Sequence, residues 1–272
     1  MTRVAQVFQQ TVSESRMAFM PFVTAGDPNP ETTREVLLGL RDGGADLIEL
    51  GFPYSDPIAD GPVIQASYTR ALENGVTVQQ IMDLMRGLKE ESLPPVMAMV
   101  SFAIIFRHGV TEFIREASDA GFSGLIIPDL PADEAEETAG VARTAGMDLV
   151  QLIAPTTSAA RTRQILEASS GFLYCISVAG TTGARTELPE ELSTQLKSLR
   201  AASDLPLAVG FGISGPDQVP TLAGIADGVI VGSAIVRQLA ETATPAAASA
   251  VASSFAASMK TAVQQANPSL PR

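Results

Sequence analysis

The chain has few of the side chains that most enzymes use for nucleophilic or metal chemistry. In 272 residues there is one cysteine, Cys175, and one histidine, His108. A single cysteine cannot form an internal disulfide, so a disulfide scaffold is excluded. One Cys and one His also leave a Cys/His metal site short of ligands, and no metal site is expected. A Ser-His-Asp triad would have to be built on His108. Positive charge is scarce as well: 18 Lys and Arg stand against 30 Asp and Glu, a net charge of −12. A chain this acidic is a poor partner for nucleic acid or an anionic membrane. No apolar run reaches the ~20 residues of a membrane span. The opening stretch MTRVAQVFQQTVSESR lacks the apolar core of a signal peptide. A cytoplasmic protein is therefore expected. Carboxylates, hydroxyls and backbone amides remain to do chemistry.

Apolar residues make up 46% of the chain, enough for a large core. Eight short apolar runs read as strands, over roughly 17–24, 46–51, 95–101, 124–128, 148–153, 172–177, 206–210 and 228–231. Between them apolar residues recur at helical spacing, as in Val36, Leu37 and Leu40, or Phe113, Ile114 and Ala117. Gly43–Gly44, Gly121 and Gly146 stop helices just before the next strand, so GGADLIEL, AGFSGLII and AGMDLVQL read as one repeated junction. Continuous apolar strands suit a parallel sheet covered by helices. Eight βα units predict an α/β fold: a single (β/α)8 TIM barrel over residues 1–272, with an extra N-terminal helix and a C-terminal closing helix. Val251, Phe255, Met259 and Val263 mark the apolar stripe of that last helix. A doubly wound open sheet fits less well, because no G-x-G-x-x-G follows the first strand.

In such barrels the active residues lie at the C-terminal ends of the strands. The second strand and its loop read DLIELGFPYSDPIADGPVIQ. Glu49 sits inside the apolar strand and by alternation shares a face with Leu47 and Gly51. Burial would raise its pKa and suit it to proton exchange near neutral pH; a salt-bridged carboxylate at a strand end is the plainer reading. Asp60 follows in a loop stiffened by Pro53, Pro57 and Pro62, which would hold a carboxylate in place. Asp56, followed by Pro57, reads as a turn former. Glycine-bearing loops follow the last three strands, at Gly180–Gly183, Gly210–Ser214 and Gly232–Ala234. A glycine alone is usually a turn residue. Two such loops after strands seven and eight, where these barrels bind phosphate, point to an anion held by backbone N–H groups rather than by a cationic side chain. Cys175 reads as a small buried apolar residue, and His108 as a surface or capping residue at the start of the helix after strand three.

The segment DLIELGFPYSDPIADGPVIQ resembles the signature of the tryptophan synthase alpha subunit. PFVTAGDP, GLIIPDLP, VAGTTGAR, VGFGIS and VIVGSAIV resemble the same family, in order and over essentially the whole chain. The resemblance implies cleavage of indole-3-glycerol phosphate to indole and glyceraldehyde 3-phosphate. It implies Glu49 as the proton-exchanging group and Asp60 as the group that holds the indole N–H. It assigns Gly183, Gly212, Gly232 and Ser233 to the phosphate, and Phe22, Ile153, Tyr174 and Phe211 to the indole slot. It makes Thr182 a residue of a closing loop that positions Asp60. It implies no cofactor in this chain and an αββα complex with a beta subunit, which carries pyridoxal phosphate and joins indole to serine. One stretch departs from the family: Ser101-Phe102-Ala103-Ile104 replaces a Tyr- and Asn-bearing run near the beta-subunit interface. That change keeps a stand-alone lyase releasing free indole as a rival reading. A non-catalytic phosphate-binding barrel is a further rival, opposed by the intact Glu49 and Asp60. A sugar-phosphate isomerase barrel would need several motifs to match by accident.

Overall fold

The computed structural model describes residues 1–57, 60–176, 190–210 and 212–266. Strands β1 (Ala18–Thr24), β2 (Ile48–Gly51), β3 (Val96–Met99), β4 (Gly124–Ile126), β5 (Asp148–Val150), β6 (Leu152–Ile153), β7 (Leu173–Ile176), β8 (Leu207–Gly210) and β9 (Gly228–Val231) form one sheet. Every pairing is parallel, in the order β5-β4-β3-β2-β1-β9-β8-β7-β6. The two ends of that order, β5 and β6, are consecutive in the chain and joined by Gln151. The sheet therefore closes on itself as an eight-stranded barrel whose fifth strand is interrupted once. Across this seam the Tyr174 N–H donates to the Gln151 carbonyl at 3.2 Å. The eight expected strands are thus present, and the last matches its expected range.

Helices α1 (Arg3–Ser13), α2 (Pro30–Asp42), α3 (Pro62–Glu73), α4 (Val78–Arg86), α5 (Phe102–His108), α6 (Val110–Ala120), α7 (Ala132–Thr144), α8 (Ala159–Ala168), α9 (Glu190–Ala202), α10 (Ser233–Ala240) and α11 (Pro245–Gln265) alternate with the strands. Local chemistry sets their ends. The Asn29 side chain accepts from the Thr32 N–H at the start of α2, and Thr77 and Gln80 close a reciprocal capping box on α4. The glycines before β2, β4 and β5 adopt left-handed φ values, +87° at Gly44, +104° at Gly121 and +72° at Gly146, where a Cβ would be strained. The repeated junction read from the sequence is real, and its cause is this backbone conformation.

Strand alternation divides the core in two. Met20, Leu47, Met97, Ile126, Val150, Phe172 and Ile230 point inward and fill the barrel, and α1 seals its lower end with Val4 and Phe8. The Phe8 ring lies 5.7 Å from that of Phe172. The opposite faces, among them Phe19, Ile48, Leu50 and Ala98, pack against the helices. At the same lower end Asp46 accepts from Arg16 at 2.8 and 2.9 Å, from Lys260 at 2.6 Å and from the Phe19 N–H at 2.9 Å. This carboxylate ties the chain before β1 to α11. The closing helix is also as expected, with Phe255, Met259 and Val263 buried against the barrel. His108 ends α5 instead of beginning a helix, because Gly109, at φ +97°, separates α5 from α6. Its Nε2 lies 3.0 Å from Glu116 Oε2, and its ring stands edge-on to Phe113.

Candidate active site

Glu49 lies on the inward face of β2, in register with Phe22 on β1 and Met97 on β3. It is fully buried, and neither carboxylate oxygen has a hydrogen-bond partner among the described residues. Desolvation raises its pKa well above the ordinary carboxyl range and favours the neutral acid. A buried, unpaired carboxyl group costs the fold free energy. The salt-bridged reading is not what the described residues present.

Above Glu49, at the C-terminal ends of the strands, a cavity of about 520 Å³ opens. That is within the size range of small-molecule sites. Phe22, Met99, Tyr174 and Ile230 form its apolar floor, and Asp60, Pro62 and Ile64 one side. Gly212, Ser214, Gly232, Ser233 and Arg237 form another. Asp60 is half-buried, and desolvation lifts its pKa to about 6, so it is mostly ionised at pH 7. The two carboxyl groups therefore differ in ionisation, as a divided acid–base task requires.

The chain around Asp60 is held from both sides. The Asp60 N–H donates to the Pro57 carbonyl at 3.2 Å, and Gln65 Nε2 donates to the carbonyls of Asp60 and Pro57. Helix α3, which begins at Pro62, is pinned to β1 by Thr24 Oγ1 and Ser67 Oγ, 2.6 Å apart. Arg70 on α3 also makes a two-point contact with Asp27, at 2.9 and 2.7 Å. Asp56 is exposed, as a turn residue would be.

Phe22, Asp60, Tyr174, Gly212, Gly232 and Ser233 are thus brought to one cavity, with Glu49 buried in the strand layer of Phe22. The structure does not bring Ile153 there. Alternation turns Ile153 to the outer, helix-facing core, where it lines a cleft between α8 and α9, while Leu152 takes the inner side. Thr182, Gly183 and Phe211 lie outside the described residues. Sequence reasoning missed Met99, Ile64 and Arg237. The inward parity of β3 could have found Met99, and the turn after Ser233 could have found Arg237. Tyr68 was missed as well. It is buried over the barrel mouth, with its ring 5.7 Å from that of Tyr54 and its hydroxyl close to Gly51. Burial raises the pKa values of Tyr68 and Tyr174, and the nearby Asp60 and Glu49 add to both shifts.

The departing segment after β3 has a defined role. Ser101 caps α5, and Asp129 in the loop after β4 accepts from Ser101 Oγ and from the Phe102 N–H, both at 2.7 Å. Further along α5, Phe106 is two-thirds exposed.

Comparison with known proteins points to one family. A family model described as tryptophan synthase alpha chain matches residues 8–265. The tryptophan synthase alpha chain of Rhodopirellula baltica is 47% identical over 269 residues, covering 98% of this chain and 95% of its own length. That of Gloeobacter violaceus is 47% identical, covering 89% of this chain and 88% of its own. Among solved structures, tryptophan synthase from Mycobacterium tuberculosis superposes with a TM-score of 0.88 at 31% identity, over 97% of this chain and 98% of that one. The alpha subunit from Legionella pneumophila gives 0.87 at 35% identity, over 97% and 99%.

Proposed function

The chain belongs to the tryptophan synthase alpha chain family, and from that premise we propose how its residues perform the alpha reaction. The protein is a carbon–carbon lyase that cleaves indole-3-glycerol phosphate to indole and glyceraldehyde 3-phosphate. The observation that carries the assignment of roles is the pair of unlike carboxyl groups. Glu49 is buried without a hydrogen-bond partner among the described residues, and Asp60 faces the cavity above it.

Glu49 begins as the neutral acid and gives its proton to C3 of the indole ring, which leaves positive charge at the ring nitrogen. Ionised Asp60 accepts a hydrogen bond from that N–H and stabilises the charge. Glu49, now a carboxylate, takes the proton of the side-chain hydroxyl next to the breaking bond. The O–H electron pair becomes the aldehyde C=O, and the C–C pair returns to the indole ring. The proton given and the proton taken balance, and no step calls on a metal or an organic cofactor. Phe22, Met99 and Tyr174 supply apolar surface for the indole. Gly212, Gly232 and Ser233 face the phosphate, the start of α10 adding the partial positive charge of its free N–H groups. Gly183, Thr182 and Phe211 keep the roles that the family resemblance gives them, and Ile153 at most supports the site from behind its strand.

The whole chain, 1–272, acts as a single barrel domain in the cytoplasm. In support, the described strands form one closed sheet, and no described helix is long and apolar enough to cross a membrane. A beta subunit receives the indole in an αββα complex and holds the pyridoxal phosphate. The exposed Phe106, beside a segment that differs from the family pattern, supports an apolar partner contact on α5. Indole release from indole-3-glycerol phosphate, measured alone and with a beta subunit, tests the reading. Strong activation is expected. High unaided turnover would favour a stand-alone lyase, and no release in either condition would overturn catalysis.

A further inference from the structure

Phosphate binding by glycine loops leaves an electrostatic problem. The protein carries −12, and Asp60 and Glu49 add negative charge or its potential at the site itself. Partial charges on backbone N–H groups must hold a dianion against that field. The structure supplies a full positive charge in the right wall. Arg237 lines the same cavity as Asp60, and it is the only Lys or Arg to do so among the described residues. It lies four residues after Ser233 on α10, so the two share a helix face one turn apart. Helical side chains lean toward the N-terminus, which carries the guanidinium back toward Gly232 and Ser233. The neighbouring Ala234, Ile235 and Val236 are buried, so the helix presents this face rigidly. Arg237 is exposed and has no ion pair or hydrogen bond with any other described residue. Its charge is therefore free for a ligand.

We propose that Arg237 is a substrate-binding residue that holds the phosphate monoester of the substrate by charge, completing a site that the glycine loops form only in part. The inference rests on the phosphate end of the cavity being where the proposed function puts it. Its consequence is specificity: the cavity selects a dianionic ester and rejects the phosphate-free alcohol.

The test is binding of glycerol 3-phosphate, a phosphate ester without the indole, to the full chain by calorimetry. Wild type, Arg237→Gln and Arg237→Lys are compared, with indole as the uncharged control. The Gln variant should bind glycerol 3-phosphate about fivefold more weakly at low salt, the scale of ~1 kcal/mol for a solvent-facing charge pair. Lys should recover most of the loss, and the Gln variant should lose less affinity when salt is added. Indole affinity should be alike in all three. With indole-3-glycerol phosphate the loss in Arg237→Gln should fall on KM rather than on kcat. Equal affinity of wild type and Arg237→Gln for glycerol 3-phosphate would overturn the proposal, as would an equal loss for indole. If wild type releases indole while Arg237→Gln binds the ester normally, only this inference fails. If wild type releases no indole yet binds the ester through Arg237, only the lyase reading fails.

Discussion

At Glu49 the barrel interior removes water from a carboxyl group without supplying a hydrogen bond from any described residue. Such a group is a cost to the fold, and the proton transfer proposed for it gives that cost a purpose. Glu49→Gln should lower indole release at least ~100-fold, the scale of lost acid–base help, while thermal melting is unchanged or higher. A barrel that unfolds at a lower temperature in this variant would argue for a structural Glu49. Asp60 titrates differently. Its pKa is lifted from 3.8 to about 6, so the folded state binds more protons than the unfolded one between those values. Stability therefore falls as pH rises through that window. Asp60→Asn should accordingly raise Tm at pH 7, with the gain largely gone at pH 4. Activity should run the other way: kcat/KM in the wild type should rise with pH through about 6, as Asp60 ionises. Asp60→Asn should lose that rising limb along with most of the activity. The limb falling at higher pH should report the deprotonation of Glu49 and should persist in the Asn variant. Both carboxyl groups were legible in the sequence because each interrupts a distinctive local setting, an apolar strand or a proline-rich loop. Arg237 was not, because a lone Arg on a surface helix looks like any solvated charge until the helix is placed beside the cavity.

Among the elements, α2 and α11 show why Gly39 sits within a helix and Gly43 caps its end. A Cβ at Gly39 would run into the carbonyl oxygen of Ser249, and one at Gly43 into that of Ser253. The two helices can approach this closely only where side chains are absent. Gly39→Ala should cost about 1–3 kcal/mol, seen as a lower midpoint in urea with activity per folded molecule retained. The α5 start makes a separate claim. Asp129→Ala removes the acceptor for both Ser101 and the Phe102 N–H, and the loss should be ~1 kcal/mol or more in the same measurement. The strands and helices themselves were readable, since apolar runs, glycine stops and caps are local properties. The parity of β6 was not. The barrel seam falls at Gln151, and only the pairing of β6 with β7 shows that Ile153 faces out.

Over the whole molecule, the tyrosines converge. The chain has no tryptophan and three tyrosines, and all three, Tyr54, Tyr68 and Tyr174, stand around the mouth of the barrel. Protein emission is therefore a reporter of this one site. Saturating indole should quench tyrosine emission by energy transfer, and Asp60→Asn should shift the midpoint of that titration. Emission indifferent to indole would place the indole slot elsewhere. By itself the sequence determined the succession of eight βα units, the positions of the two carboxyl groups proposed for the chemistry and the glycine loops after the last strands. These follow from residue type, spacing and local backbone preference. Only the tertiary structure decided that Glu49 lacks a described partner, that Ile153 turns away from the cavity and that Arg237 turns toward it. Each of these depends on closing the sheet into a ring, which brings together residues far apart in the chain and sets which face of each strand is inside.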